Sequence, residues 1–355
     1  MLKRLGILFI VLTLIASILA GCGSSSPNQS ASPAPSSNAP VASEKPASEK
    51  PKQTIEMSVA AYVNKGTPEV DGLEYLKKIL EERSNGQFKV NVFFGGTVGG
   101  ESDTVEQVRA GTLQLSIGAW DTCGKYAAEY MPWVVPYLFP DTDAIKRSWE
   151  GKVGDALRQK MEDNGLIFSG IYFRGNRHLT AKKEIKSVDD VKGLKIRLPG
   201  TAAWVEVWKE LGCLPAPIPS SEVFGALQTG VVDAQENPVT SNHEKKLWEV
   251  QDYMILTNHI VDFNGYFLSK KWFDTLDADT QALVNQALQD ALEYTQKLAS
   301  ERESTLLEDL KKQGMKVIDP DIESFRKKAA PATERIKANW ADWVYEETLK
   351  DIAGK

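Results

Sequence analysis

The sequence has little of what most metal and enzyme sites are built from. Only three cysteines and three histidines occur among 355 residues. There is no Cys-x-x-Cys pair, no His-x-x-x-His pair and no Gly-x-Ser-x-Gly nucleophile elbow. Zinc sites and nucleophilic hydrolases depend on such spacings. His178, His243 and His259 are scattered along the chain, so we expect no metal and no cofactor.

A phosphate-binding loop is also missing, although one segment has its glycine spacing. Gly95–Ser102 reads Gly-Gly-Thr-Val-Gly-Gly-Glu-Ser. Glu101 stands where a lysine would neutralise phosphate, and its charge would repel one. The segment therefore predicts a Gly-rich turn before a helix. Carboxylates are abundant, so a carboxylate-based hydrolase stays an alternative to our expectation that the chain is not an enzyme.

An excess of positive charge is absent as well. The formal net charge is −6, whereas a nucleic-acid binder needs a basic face to neutralise phosphates. We therefore expect no nucleic-acid partner. An anionic ligand would have to be held by local cations, because the overall field repels it.

Long apolar runs are limited to the N-terminus. Lys3 and Arg4 precede an apolar stretch at 7–19, which is short for a membrane span of roughly 20 residues, and Leu-Ala-Gly-Cys22 follows. This order is typical of a secretory signal peptide at 1–21 that is cleaved before a lipidated Cys22. An uncleaved anchor helix is the alternative. Residues 22–53 are rich in Ser, Pro and Ala and predict a disordered tether.

From residue 54 onward, strand and helix patterns alternate. Strands are predicted at 55–62, 88–94, 113–119 and 166–173, with helices between them, one of them at 142–164. Such a βαβαβ series implies parallel pairing. A second series has strands at 194–198, 231–234, 253–256 and 262–268, and helices at 201–211 and 221–229. Long helices follow at 279–313 and 331–349.

These two series predict an α/β body with two hinged lobes. Lobe I comprises 54–174 and about 263–302, and lobe II comprises about 175–262 and 303–355. Open α/β sheets bind ligands outside the carboxyl ends of their strands, so facing lobes enclose a cleft. Cys123 and Cys213 lie in small or apolar stretches and are interpreted as buried thiols, with a disulfide as the alternative.

One block is specific enough to suggest a family. It begins Gly193-Leu-Lys-Ile-Arg-Leu-Pro, continues through the stretch from Leu211 to Gly230, and ends Asp233-Ala-Gln-Glu-Asn-Pro. Together with Arg109-Ala-Gly-Thr-Leu-Gln and Pro136-Tyr-Leu-Phe, it closely resembles the DctP-type solute receptors of TRAP (tripartite ATP-independent periplasmic) transporters. The resemblance covers nearly the whole body after the tether.

The resemblance implies a two-lobed periplasmic-binding-protein-like α/β fold with an interlobe cleft and long C-terminal helices. It also implies a receptor without chemistry of its own that delivers organic acids to a membrane permease. By position, it places a bidentate carboxylate-binding arginine at Arg197, a second arginine at Arg177, with Arg174 as a possible substitute, and an amide at Asn237.

Elementary chemistry agrees with the role implied for Arg197. A guanidinium presents a planar fork of donors to a carboxylate and keeps its charge when buried. Arg197 lies on the strand face opposite Leu194, Ile196 and Leu198. A solvated surface arginine is the alternative reading from spacing alone.

Lobe I positions are nominated by the same alignment of motifs. Tyr62, Glu101 and Trp120 follow predicted strands or the Gly-rich turn, where a cleft wall is expected. Tyr62 and Trp120 could equally pack in the core, and Glu101 could be an acid that favours a helix N-terminus. Ser220 stands where sialic-acid receptors carry an aromatic, which speaks against sialic acid.

The sequence therefore predicts an extracytoplasmic, lipid-anchored, monomeric receptor in the periplasm or on the outer face of the cell membrane. Its expected partners are a small carboxylate and the membrane subunits of a TRAP permease. The acid itself stays open between C4-dicarboxylates, uronates and other sugar acids. A ligand sensor without transport is the remaining alternative.

Overall fold

Residues 54–355 are described in the computed structural model of the chain. The predicted signal peptide, Cys22 and the tether lie outside the described residues. Residues 54–355 belong to one compact unit. The predicted lobe boundaries within this unit therefore stay a prediction.

Nine strands occur within the described range. In chain order, β1 to β9 are Ile55–Ala60, Phe88–Phe93, Leu115–Ala119, Leu166–Ala181, Lys195–Leu198, Leu214–Pro217, Ala234–Pro238, Tyr253–Ser269 and Lys316–Ile318.

Twelve α-helices accompany them over the same range. In chain order, α1 to α12 are Pro68–Arg83, Glu101–Ala110, Gly124–Ala127, Thr142–Glu150, Lys152–Asp163, Ala202–Glu210, Val223–Gln228, Val239–Glu244, Lys270–Phe273, Ala278–Lys312, Ile322–Lys337 and Val344–Ala353. The side chain of Asp277 caps the 35-residue α10 by accepting from Thr280 N, as helix N-caps do.

One mixed sheet joins these strands in the order β2-β1-β3-β8-β4-β7-β5-β6, and β9 pairs with β8. The lobe I strands β1, β2 and β3 are parallel to one another. The lobe II strands β5, β6 and β7 are parallel as well. The carboxyl ends of each parallel set therefore meet at one edge, which is where such sheets form ligand sites.

Two long antiparallel strands connect the halves of this sheet. β4 and β8 pair with each other from Leu166–Ser269 to Ala181–Tyr253. One end of β8 pairs with β3 in lobe I, and the other end of β4 pairs with β7 in lobe II. The expected return of the chain from lobe II to the first sheet is confirmed. The ladder has three register shifts, the last between Arg177 and Leu179.

Four sequence expectations on the strands need correction. β4 does not add to the parallel series, because β8 lies between it and β3. It also runs on to Ala181 instead of ending at Phe173. The predicted strands at 253–256 and 262–268 are one strand. The strand predicted at 231–234 lies at Ala234–Pro238, since the turn at Gly230, with φ of +72°, follows α7 and delays pairing.

The helix predicted at 142–164 is two helices. Gly151 has extended backbone angles between α4 and α5, and Gly154 lies so close to the carbonyl of Trp149 that a side chain would not fit. The C-terminal helix is likewise divided, with Pro331 inside α11 and a break before α12.

Apolar packing continues across both halves. Trp120 of lobe I and Trp204 of lobe II belong to the same buried cluster. Cys123 and Cys213 are buried and unpaired, as interpreted from the sequence. Among residues 54–355, no helix has both the length and the apolar character that a bilayer crossing needs.

Where β8 pairs with β4, there is no room for a side chain at Gly265. A Cβ there would lie 2.4 Å from Gly170 O and 2.7 Å from the Phe168 ring. We predict that Gly265→Ala lowers the free energy of unfolding by about 1–3 kcal/mol, as overpacking does. Urea unfolding of the purified protein measures this.

Gly225→Ala is the matched control. Gly225 lies within α7, and a Cβ at this position would have no heavy atom within 4 Å. This change should therefore be neutral or stabilising by about 0.5–1 kcal/mol. Equal effects of the two substitutions would contradict the packing argument.

Candidate ligand-binding site

Arg197 is a buried cation without a counter-charge. It lies on β5 with 3% of its surface exposed. Its Nε donates to Ile218 O at 2.8 Å, and no carboxylate oxygen of residues 54–355 lies within 4.0 Å of it. Burial lowers the pKa of Arg197 to about 10 despite attraction from Glu236. The guanidinium is therefore charged at neutral pH and still has donors to offer.

Arg177 is different because two carboxylates already neutralise it. Its Nε and Nη2 donate to Glu236 at 2.6 and 3.0 Å, and its Nη1 donates to Asp262 at 3.1 Å. The guanidinium lies 4.8 Å from the centre of the Trp204 ring. Although burial acts the other way, these carboxylates raise the pKa of Arg177.

Asn237 is fixed by the same network. Its Oδ1 accepts from Arg177 Nη2 at 3.2 Å, and its Nδ2 donates to Gln235 Oε1 at 2.5 Å. As expected for a residue before proline, Asn237 is extended, and it lies in β7. Arg177 and Asn237 are thus brought together, with the amide held by Gln235.

Arg174, the alternative to Arg177, lies three residues before it on β4 and has a different set of partners. It pairs with Glu69 at 3.0 Å and with Asp262 at 3.3 Å, and it donates to Ser241 Oγ at 2.8 Å. Asp262 therefore accepts from both arginines. Through Asp262 and Arg174, Arg177 is connected to Glu69 on helix α1.

Glu236 is stabilised as an anion from two sides. His259 Nε2 lies 2.9 Å from its Oε2, the atom that also accepts from Arg177. Burial alone would raise the pKa of Glu236, but Arg177 and His259 hold it at about 2. Burial lowers the pKa of His259, so this histidine is a neutral hydrogen-bonding partner at pH 7.

Two carboxylates lie at the lobe I side of the site. Glu101 begins α2, and its Oε1 accepts from Ala119 N at 2.5 Å. Asp121 follows β3, and its Oδ2 accepts from the hydroxyl of Thr201 at 2.6 Å. Burial and the charge of Asp121 raise the pKa of Glu101 to about 7. Burial also raises the pKa of Asp121.

The two nominated lobe I aromatics occupy different positions. Tyr62 is half-buried, and burial together with the charge of Glu101 raises its pKa. Trp120 is 1% exposed and packs against Phe263 and Trp204 at ring-centre distances of 5.0 and 6.0 Å. It contributes to the packing between the lobes behind the charged groups.

Sequence reasoning missed several polar residues of this site. They are Glu69, Asp121, Thr201, Glu236, Lys245, His259 and Asp262. Asp121 could have been found, since it directly follows Trp120 at the end of a predicted strand. Glu236 lies within the quoted block, but nothing in the pattern indicates that it is buried. Asp262 reaches the arginines only through the β4–β8 pairing.

Comparison with known proteins decides the family. Residues 59–339 match the model of DctP, bacterial extracellular solute-binding protein, family 7. The chain belongs to the DctP family. Residues 59–339 contain every cleft residue described above, so the geometry and the family assignment concern the same part of the chain.

Curated relatives and solved structures agree with this assignment. This DctP-family chain is 31% identical over 249 residues to the 2,3-diketo-L-gulonate-binding periplasmic protein YiaO of Escherichia coli K12, covering 70% of the chain and 76% of the relative. It is 28% identical over 287 residues to the sialic acid-binding periplasmic protein SiaP of Vibrio cholerae, covering 81% and 89%.

A solved structure extends the likeness to three dimensions. The sugar acid binding protein DctPAm of Advenella mimigardefordensis, in complex with galactonate, has a TM-score of 0.81 at 26% identity and covers 85% of this chain and 99% of its own. The predicted two-lobed α/β receptor fold and the resemblance to TRAP solute receptors are confirmed. The chain is an extracytoplasmic solute-binding protein, not an enzyme.

The raised pKa of Glu101 has a measurable consequence for the DctP-family receptor. Between its usual value of 4.5 and about 7, the folded protein binds this proton more tightly than the unfolded chain. Stability from the protonated form is therefore present at low pH and lost as pH rises toward 7. We predict that Glu101→Gln gains melting temperature relative to wild type between roughly pH 5 and pH 8.

Glu106→Gln provides the control on the same helix. Hydrogen bonds from Lys125 and Arg109 lower the pKa of Glu106 to about 2, so its contribution is constant above its unfolded pKa. Its melting-temperature difference from wild type should not change over the same pH interval. A pH-independent difference for Glu101→Gln would show that Glu101 is already ionised.

Proposed function

We propose that this receptor binds a small sugar acid between its lobes and holds the ligand carboxylate on Arg197. Arg177 and Asn237 complete the carboxylate end, while Tyr62 and Glu101 contribute to the lobe I wall, which Trp120 supports by packing against Phe263 and Trp204. The bound receptor then docks on the membrane subunits of a TRAP permease. Of the open ligand classes, sugar acids are favoured over C4-dicarboxylates by the relatives that bind 2,3-diketo-L-gulonate and galactonate.

The observation that carries this proposal is the missing counter-charge at Arg197. Burying a cation without a partner costs free energy, whereas Arg174 and Arg177 nearby are both paired. A ligand carboxylate supplies the absent anion, and a planar carboxylate matches the two donor positions that Ile218 leaves available.

The roles of Arg197 and Arg177 differ in this scheme. Arg177 is held by Glu236 and Asp262 at fixed distances, so it presents a preformed edge and Asn237 beside it. Arg197 provides the unbalanced positive charge. Ligand affinity therefore depends mainly on Arg197, and the geometry of the carboxylate pocket depends on Arg177.

Location follows from the N-terminal motif. We propose that the chain is cleaved before Cys22, lipidated there, and displayed outside the cytoplasm on the tether at 22–53 as a monomer. This accounts for an apolar N-terminal run that is too short to span a bilayer comfortably.

Arg197→Met is expected to weaken ligand binding strongly. Loss of one member of a buried charge pair costs about 2–5 kcal/mol, which is roughly 30-fold or more in affinity. Titration calorimetry with galactonate, galacturonate and glucuronate measures this. The ligand-free melting temperature should stay equal or rise, because an unpaired buried cation is removed.

Lys195→Met is the matched control, since Lys195 lies two residues away on the same strand and is exposed. It should leave affinity unchanged. If Arg197→Met binds within a few-fold of wild type, the carboxylate is held elsewhere.

Cys22→Ser should move the mature protein from the membrane fraction to the soluble extracytoplasmic fraction, because a serine carries no thiol for lipid attachment. Fractionation followed by immunoblotting measures the distribution. Ser24→Ala, two residues further on, should leave it unchanged. Membrane retention of Cys22→Ser would exclude the lipid anchor.

A further inference from the structure

Glu101 and Asp121 form an unpaired acidic pair in the cleft. Among the described residues, neither has a lysine, arginine or histidine nitrogen within 4.0 Å. Each is fixed instead by a neutral donor, Glu101 by Ala119 N and Asp121 by Thr201 Oγ1. They are thus acceptors that the protein leaves without a counter-charge.

The two carboxylates lie around one turn of lobe I. Glu101 is bonded to the backbone of Ala119, and Asp121 is two residues further along the chain. The charge of Asp121 acts on Glu101 strongly enough to be the second cause of its raised pKa, after burial. One proton shared over this pair reduces their repulsion, as in other close carboxylates.

The acidic pair lies near the β5 segment that carries Arg197. Thr201 follows β5, which carries Arg197, and its hydroxyl reaches across to Asp121. Asp121 and Glu101 are among the charges that act on Arg197. An unpaired cation and two unpaired carboxylates therefore lie in the two segments that the Thr201–Asp121 hydrogen bond joins.

We propose that this polarity makes the receptor selective for acids with a single carboxylate, and that Asp121 is the residue that rejects a second one. The ligand carboxylate takes Arg197, and the hydroxyls of its other end donate to Asp121 and Glu101. A second carboxylate there brings an anion against a pair that keeps a negative charge even when it shares one proton. This inference rests on the proposed function and narrows its ligand class.

Lys245 is the group that could oppose such selectivity. It follows α8, is half-buried, and has no carboxylate oxygen of the described chain within 4.0 Å. Burial lowers its pKa, and Arg197 and Arg174 act in the same direction, while Glu244 and Glu101 oppose them. Lys245 therefore acts on Glu244 and Glu101 and is not among the main charges acting on Asp121, whose attraction comes from Arg177, a residue already paired with Glu236 and Asp262.

Matched ligand pairs test the proposal. Galactonate and galactarate share one carboxylate and four hydroxylated carbons and differ only in whether the sixth carbon is CH₂OH or a second carboxylate. Gluconate with glucarate and erythronate with meso-tartrate are equivalent pairs. Wild type should prefer the monocarboxylate of each bound pair by at least about tenfold, since like charges across an interface are strongly penalised.

Asp121→Asn should narrow that preference by roughly tenfold, chiefly through tighter dicarboxylate binding measured by calorimetry. The asparagine still accepts from Thr201, so closure is retained. Thr201→Val is the matched control: it removes the bond between the lobes but keeps the charge, so it should weaken both members of a pair by the same factor.

The outcomes separate the two proposals. Equal binding of both members by wild type, or an unchanged ratio in Asp121→Asn, overturns the selectivity inference and leaves the sugar-acid function standing. A changed preference between the two members of a pair in Thr201→Val would assign the selectivity to the bond between the lobes. It would overturn the role of the Asp121 charge. If wild type binds neither member of any pair nor the uronates, the proposed function fails and the inference with it.

Discussion

Asp262 accepts from two arginines at once, and the cleft is organised around that bridge. Arg174 and Arg177 lie three residues apart on β4 and are both buried, an arrangement that is unstable unless anions are supplied. Asp262 reaches both from the paired strand β8, while Glu69 and Glu236 complete the neutralisation. The long β4–β8 pairing is therefore a condition for the binding site as well as for the fold.

Unlike Arg174 and Arg177, Arg197 has no carboxylate partner among the described residues. The difference between Arg177 and Arg197 is not one of burial, since both are almost fully enclosed. It lies in the counter-charge: two carboxylates pair with Arg177, whereas Arg197 donates to a single carbonyl oxygen. A receptor that closes on an anion needs this imbalance, because a site neutralised by its own side chains would gain little from a ligand.

Much of this was predictable because local patterns determined it. The period-two run at Leu194–Leu198 gives β5 and its opposite face, and the block ending at Pro238 gives β7 and Asn237. The interior of β8 was not predictable. Thr257, Asn258 and His259 are polar, so the sequence pattern indicates a loop between two strands. In the structure, Asn258 also has a positive φ of 45°. Pairing with β4 at Ile255 and Ile260, on either side of this stretch, and burial of Thr257 and His259 keep it within one strand.

The ladder of β4 and β8 also has a mechanical consequence. A connection made of two continuous strands resists sliding and stretching, because either would break a row of backbone hydrogen bonds at once. It yields more readily to bending at its register shifts, where the row is already interrupted. Gln296 of the long helix α10 holds Phe173 at one such shift through its backbone amide. We therefore expect the lobes to open by a change of curvature in these two strands, with α10 held to them at Phe173.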